Sequence, residues 1–140
     1  IAKVPSHSRV SIIRWTPDGK GAVYMKQPDR EGDPEAGLWS TDFTNPPRQV
    51  MRGWVPWFER GPGNQLYALE GRGDLDAILW RVSLTDGRRE RVGTLPLMNS
   101  YWIVIDLFPN FHFDVSPDGR RVVFSMLSAQ ASVGMLERAK

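Results

Sequence analysis

The chain has 140 residues, of which 41% are hydrophobic and 24% charged, with 18 basic and 16 acidic side chains. These values are ordinary for one globular domain and argue against a disordered chain. The net charge of +2 comes without a basic stripe, so binding of nucleic acid by this segment has no electrostatic footprint.

The chain contains no cysteine, which excludes disulfides, thiolate zinc sites and cysteine nucleophiles and is compatible with any compartment. It has no run of 18 apolar residues, so we predict no membrane insertion. Its first residue is Ile1 rather than methionine, and we interpret the sequence as a piece of a longer protein.

Short alternating apolar runs separated by Gly, Pro, Asn and Asp predict strands throughout. A first group of four strands is predicted at residues 10–16, 21–26, 38–43 and 48–52. A second group is predicted at 55–60, 65–70, 77–84 and 89–95. A third begins near Phe111 and continues at 121–127 and 133–137. The sequence therefore predicts an all-β protein of four-stranded antiparallel units.

Self-similarity along the chain supports these units. Residues 14–25 match residues 114–125, which lie 100 positions later. Residues 57–68 form a weaker copy, in which Phe58 corresponds to Trp15 and Tyr67 to Tyr24 at an offset of 43. The segment 38–43 returns as 79–84, an offset of 41. Strand repeats with a period of roughly 40 to 50 residues are typical of a β-propeller with one blade per repeat.

We therefore predict that residues 1–140 form a single partial propeller domain. Its predicted parts are an outer strand of a preceding blade at 1–5, a blade at 8–53, a second at 54–95, and a last blade at 96–140 that lacks its outer strand. Three blades cannot close a ring, for which about four are needed. Closure would require the remaining blades of a parent chain or a second copy of this one.

Two turns carry a resemblance to a known family. The segments Thr16-Pro17-Asp18-Gly19 and Ser116-Pro117-Asp118-Gly119, each followed by an apolar strand, resemble the repeats of TolB-type propellers, which are similar to WD repeats. The resemblance implies a six-bladed ring at the C-terminus of a bacterial multidomain protein, used for protein–protein contact or ligand sensing, and favours a periplasmic or extracytoplasmic location. It implies no cofactor.

No catalytic constellation is found in the sequence. His112 lies near Asp106 and Asp114, but no nucleophile elbow accompanies them, and a histidine that packs in a strand is the simpler interpretation. The loop 71–76 has two carboxylates spaced as in some calcium loops, yet it lacks the further ligands of such a site. We predict neither a catalytic nor a metal-binding residue.

A partner surface is the remaining candidate. Because strands alternate in direction, the loops between second and third strands share a face, here called the loop face, with the connections between blades. The residues predicted to contact a protein partner or small ligand there are Trp54, Trp57, Arg72, Asp74, Asp76, Tyr101 and Trp102. Aromatic and arginine side chains are common anchors of recognition surfaces. The alternative is that these side chains plug the channel or pad neighbouring blades.

Two functions from different classes fit this architecture. We expect a non-catalytic interaction or sensing module of a larger bacterial protein. The alternative is the accessory propeller of a prolyl-oligopeptidase-type serine hydrolase whose catalytic domain is absent from this piece. A hydrolase domain with a serine nucleophile after Lys140 would favour the alternative, whereas a kinase or winged-helix domain before Ile1 would favour the first.

Overall fold

A computed structural model describes residues 10–30, 32–72, 76–96, 112–126 and 132–137, with the backbone alone for 72, 76, 96, 112, 125–126 and 132–137. The described residues form eleven strands and no helix. The first sheet contains β1 (Val10–Trp15), β2 (Ala22–Lys26), β3 (Gly37–Thr41) and β4 (Arg48–Arg52). The second contains β5 (Trp57–Arg60), β6 (Gln65–Arg72), β7 (Asp76–Ser83) and β8 (Arg89–Pro96). The third contains β9 (His112–Val115), β10 (Arg121–Met126) and β11 (Ser132–Glu137).

Every sheet is an antiparallel meander, in which each strand pairs with the next along the chain. The prediction of an all-β propeller segment with about three antiparallel blades is confirmed. Strand bounds agree with the predicted ones to within two residues. The predicted outer strand at 1–5 lies outside the described residues.

The first and third sheets begin with the same hairpin turn. The hydroxyl of Thr16 donates to the Asp18 carboxylate (2.6 Å), which also accepts from the amide of Lys20 (3.0 Å). The Ser116 hydroxyl donates to Asp118 at 2.6 Å, and the amide of Arg120 donates at 3.0 Å. The glycine that follows each aspartate has a φ of 69°, a conformation that glycine adopts without steric cost. The predicted offset of 100 is therefore present in the hydrogen bonds as well as the sequence.

The first and second sheets share a bulge between their last two strands. The register shifts between Leu38 and Trp39 in the first sheet, and between Leu79 and Trp80 in the second. This agrees with the predicted offset of 41. It also provides a fixed point from which equivalent positions in the two sheets can be counted.

The predicted offset between the first and second sheets is wrong by one residue at β6. Leu38 pairs with Met25 and Leu79 with Leu69, so β6 follows β2 at an offset of 44 rather than 43. The structural equivalent of Tyr24 is therefore Ala68. Tyr67 instead corresponds to Val23, which points to the opposite face, because a shift of one residue reverses every side chain of a strand.

The predicted match of Phe58 with Trp15 is also wrong. Phe58 pairs with Ala68 as Ile13 pairs with Tyr24, so Phe58 corresponds to Ile13, and Arg60 to Trp15. The turn also differs: residues 61–65 separate Arg60 from Leu66, one fewer than the residues 16–21 that separate Trp15 from Ala22, so β5 and β6 do not follow the first sheet at one common offset. Trp15 and Val115 do occupy equivalent places, since they pair with Ala22 and Val122.

The core lies between the sheets. One cluster of buried side chains joins the first and second sheets and includes Val23, Leu38, Phe58, Leu66 and Leu84. A second joins the second and third sheets and includes Tyr67, Leu69, Leu79, Phe113 and Val122. The first strands of adjacent sheets, β1 with β5 and β5 with β9, are in contact. Face-to-face packing of successive meanders around adjacent first strands is the arrangement of propeller blades.

Candidate functional site

The predicted loop-face residues are only partly within the described chain. Asp74, Tyr101 and Trp102 lie outside the described residues, so their predicted role stays a prediction. Arg72 and Asp76 are described by their backbone, which pairs them at the end of the β6–β7 ladder. The strands thus extend into the segment 71–76, for which the sequence predicts a loop.

Trp54 and Trp57 are packed against the protein. The Trp54 ring covers Gly71, where an added β-carbon would lie 2.1 Å from the ring, and the Trp54 carbonyl accepts from the Gly71 amide at 3.1 Å. Trp57 is half-buried against the core between the second and third sheets, and its indole N–H donates to Glu59 at 3.2 Å. Both side chains therefore pack against the blades, and their predicted role in partner contact stays a prediction.

Trp39 and Trp80 occupy equivalent places, and each is held by a polar partner. The Trp39 indole donates to the carbonyl of Glu35 at 2.8 Å, while Trp80 donates to the Glu70 carboxylate at 2.7 Å. The ammonium of Lys26 lies 4.2 Å from the centre of the Trp39 ring and 2.8 Å from Glu35. The contact with the Trp39 ring and the ion pair with Glu35 together offset the desolvation cost of burying the Lys26 ammonium.

The aspartates with shifted pKa values serve turns. Asp42 accepts from the amides and side chains of Thr44 and Asn45, and these hydrogen bonds, those from Asn45 first, hold its pKa far below the usual range. Hydrogen bonds from Thr16 and Ser116 lower the pKa of Asp18 and Asp118 in the same way. Hydrogen bonds that favour a charged carboxylate are the cause in each case. These groups stabilise the ionised turn and are not poised for proton transfer at neutral pH.

This arrangement predicts acid-sensitive stability. Because the folded-state pKa values of these aspartates lie below the ordinary 3.8, the stability they contribute is complete above that value and declines as the pH falls through the folded-state values. We expect the urea midpoint to fall between pH 6 and pH 2.5. Asp42→Asn should flatten the dependence, since the amide does not titrate. An equal decline in the variant would contradict this role.

Within the described residues, no group of three or more His, Asp or Glu side chains is placed to hold a metal ion. Asp114 is exposed and accepts from the amide of Val115 at 2.7 Å. The side chain of His112 is not among those described, so its predicted structural role is untested.

A cleft of about 450 Å³ lies at the opposite face, where the first hairpin turns of all three sheets meet. We call this the turn-side cleft. A proline from each turn lines it, namely Pro17, Pro62 and Pro117, together with Arg60 and Val115. Its volume is within the range of small-ligand sites. No single repeat contains the cleft, so the repeats of the sequence do not reveal it.

Arg60 is the cationic group of the turn-side cleft. It is exposed, and its side chain has neither a hydrogen-bond nor an ion-pair partner among the described residues. The equivalent residues in the other sheets, Trp15 and Val115, are apolar, so blade packing does not require an arginine here. Arg14, by contrast, lies 3.4 Å from Glu59 and 5.8 Å from the centre of the Trp57 ring. Arg60 therefore offers free donors to a ligand.

Comparison with known proteins finds no protein-family model that matches the chain and no curated protein similar to it. In the part of the chain that the structure describes, no helix has the length and apolar character needed to cross a membrane.

Proposed function

We propose that the chain is a section of a TolB-type propeller that serves a larger bacterial protein as a non-catalytic binding module. The observation that carries this proposal is the turn-side cleft, in which Arg60, whose side chain has no partner among the described residues, lies beside proline and glycine residues of the turns. The ligand that this chemistry suits is a carboxylate flanked by apolar groups, such as an acidic side chain in a protein partner. Proline supplies apolar surface, and the guanidinium supplies directional donors for a carboxylate.

The polar chemistry of the described residues also favours binding over catalysis. The aspartates with lowered pKa values hold turns, and Glu59 is engaged by Arg14 and Trp57. Arginine is a frequent anchor of recognition surfaces. Gly119 in the third sheet's first turn lies against Pro62 and accepts a hydrogen bond from Tyr67 at 3.1 Å, which joins the turns of the second and third sheets.

Titration with an acidic peptide tests this function. The probe is an N-acetylated, amidated hexapeptide of alternating glutamate and phenylalanine, followed by amide chemical shifts in the NMR spectrum. We expect the largest shifts at Gly61, Gly63 and Ser116, which line the turn-side cleft. Arg60→Leu should weaken binding by about ten- to a hundredfold, since a hydrogen bond to a charged group contributes about 1.5–3 kcal/mol.

Two controls separate a site from general charge attraction. Arg88→Leu removes an exposed arginine of an outer turn in the second sheet and should leave the affinity unchanged. The glutamine–phenylalanine version of the peptide should bind no better to the unsubstituted protein than to Arg60→Leu. Shifts concentrated at Trp54, Gly71 and the other loop-face amides, or no shifts, would overturn the turn-side site.

A further inference from the structure

The two faces of each sheet have distinct neighbours. We call the face that points toward the preceding sheet the leading face, and the face toward the following sheet the trailing face. The leading face of the third sheet, with Phe113 and Val122, packs on the trailing face of the second, with Tyr67 and Leu69. The leading face of the second sheet, with Phe58, packs in the same way on the first.

Four large hydrophobic side chains are exposed among the described residues: Ile13, Trp15, Phe43 and Val123. Ile13 is 60% exposed, whereas its equivalents Phe58 and Phe113 are 0% and 3% exposed. Phe43 is 54% exposed, whereas Leu84, its equivalent at the offset of 41, is 7% exposed. These positions, with Trp15, form the leading face of the first sheet. This face carries large apolar side chains, as the faces between packed sheets do, but these side chains are exposed.

Val123 shows the complementary situation on the third sheet. It is 47% exposed, whereas its equivalents on the trailing faces of the first two sheets, Val23 and Tyr67, are 0% and 2% exposed. Three of the four, Ile13, Phe43 and Val123, thus lie at positions that are buried elsewhere in the repeat, whereas the equivalent of Trp15 in the second sheet, Arg60, is exposed. The four exposed side chains lie on the leading face of the first sheet and the trailing face of the third.

Charge on the first strands is complementary where the first and second sheets meet. Arg14 on the trailing face of the first sheet is paired with Glu59, which occupies the equivalent position in the second. The corresponding residue of the third sheet is Asp114, which is exposed. If a first sheet followed the third, Asp114 would stand next to an arginine.

We propose that two copies of the chain close into one ring, with the third sheet of each copy packed on the leading face of the other copy's first sheet. Each junction is heterologous, yet a two-fold axis relates the pair, so the assembly closes. Two sets of three sheets give six blades, within the range of known propellers. This assembly does not depend on the turn-side ligand.

The mass in solution is the first test. Sedimentation equilibrium of the 140-residue protein should give twice its 15.9 kDa. Trp15→Glu and Val123→Glu should each convert it to the monomer, with unchanged circular dichroism because both side chains are exposed. Arg88→Glu, a control on an outer turn, should remain dimeric.

Mixing the two variants tests the pairing of faces. A mixed pair keeps one intact junction, between Val123 of the Trp15→Glu copy and Trp15 of the Val123→Glu copy. We therefore expect dimers to reappear on mixing, with an apparent dissociation constant at least tenfold lower than that of either variant alone. A monomeric unsubstituted protein would overturn the proposal and favour a blade from elsewhere as the occupant. If Trp15→Glu abolishes the dimer, Val123→Glu does not, and mixing does not restore it, then the first sheets of the two copies pair with each other. That result would also overturn the proposal.

Discussion

Replacing Phe58 with alanine should lower the free energy of unfolding by about 3–5 kcal/mol, the usual cost of removing a buried aromatic ring. Phe58 is fully buried where the first and second sheets meet, beside Val23 and Leu38 in the same core cluster. A loss of this size is a large part of the stability of a small domain. Urea unfolding followed by circular dichroism measures it.

Ile13→Ala is the matched control, since Ile13 holds the equivalent position on the uncovered leading face. Both substitutions are made in the Trp15→Glu background, which keeps that face free. There Ile13→Ala should cost less than about 1 kcal/mol, as surface substitutions do. Equal losses of unfolding free energy at the two positions would contradict the assignment of Phe58 to a covered face and of Ile13 to an uncovered one.

Gly37→Ala should cost about 3 kcal/mol or more, because the position requires glycine for two reasons. Its φ is 133°, which side-chain-bearing residues rarely adopt, and an added β-carbon would lie 2.0 Å from the carbonyl oxygen of Met51 on β4. Neither the β3–β4 ladder nor the turn before it can accommodate that atom without moving backbone.

Gly19→Ala separates the two reasons. Gly19 also has positive φ, at 69°, but an added β-carbon would have no neighbour within 4 Å. Its cost should be about 1–2 kcal/mol, the cost of the left-handed conformation alone. The difference between the two urea midpoints, measured in the same background, reports the close approach of β3 and β4. Equal midpoints would contradict that approach.

The strands were predictable because apolar alternation and turn residues are local properties. The hairpins at Asp18 and Asp118 have the same residue types and the same hydrogen bonds, so their offset of 100 could be found from the sequence. The middle hairpin uses glycine and proline without an aspartate, and its turn is one residue shorter. Register depends on turn length, which an ungapped comparison of letters does not detect.

The site residues were harder to predict because they depend on contacts between sheets. Tryptophan is a residue type common at recognition surfaces, which is why the sequence predicts a partner contact at Trp54. Its ring covers Gly71, however, and this contact joins two segments that are separate in the sequence. The turn-side cleft is assembled from three hairpins, and Arg60 is conspicuous only after its equivalence to Trp15 and Val115 is established. The strand register likewise places the exposed Ile13, Trp15 and Phe43 on one face of the first sheet.

Nuclear Overhauser contacts in the isotope-labelled protein test the central claim, that the three sheets are separate meanders stacked face to face. We predict cross-peaks between the Tyr67 ring and the α protons of Gly119, where the second and third sheets meet. We also predict backbone ladders within residues 10–52 and within 57–96, with none joining β4 to β5. A continuous ladder between residues 48–52 and 57–60, as in a single extended sheet, would contradict the account.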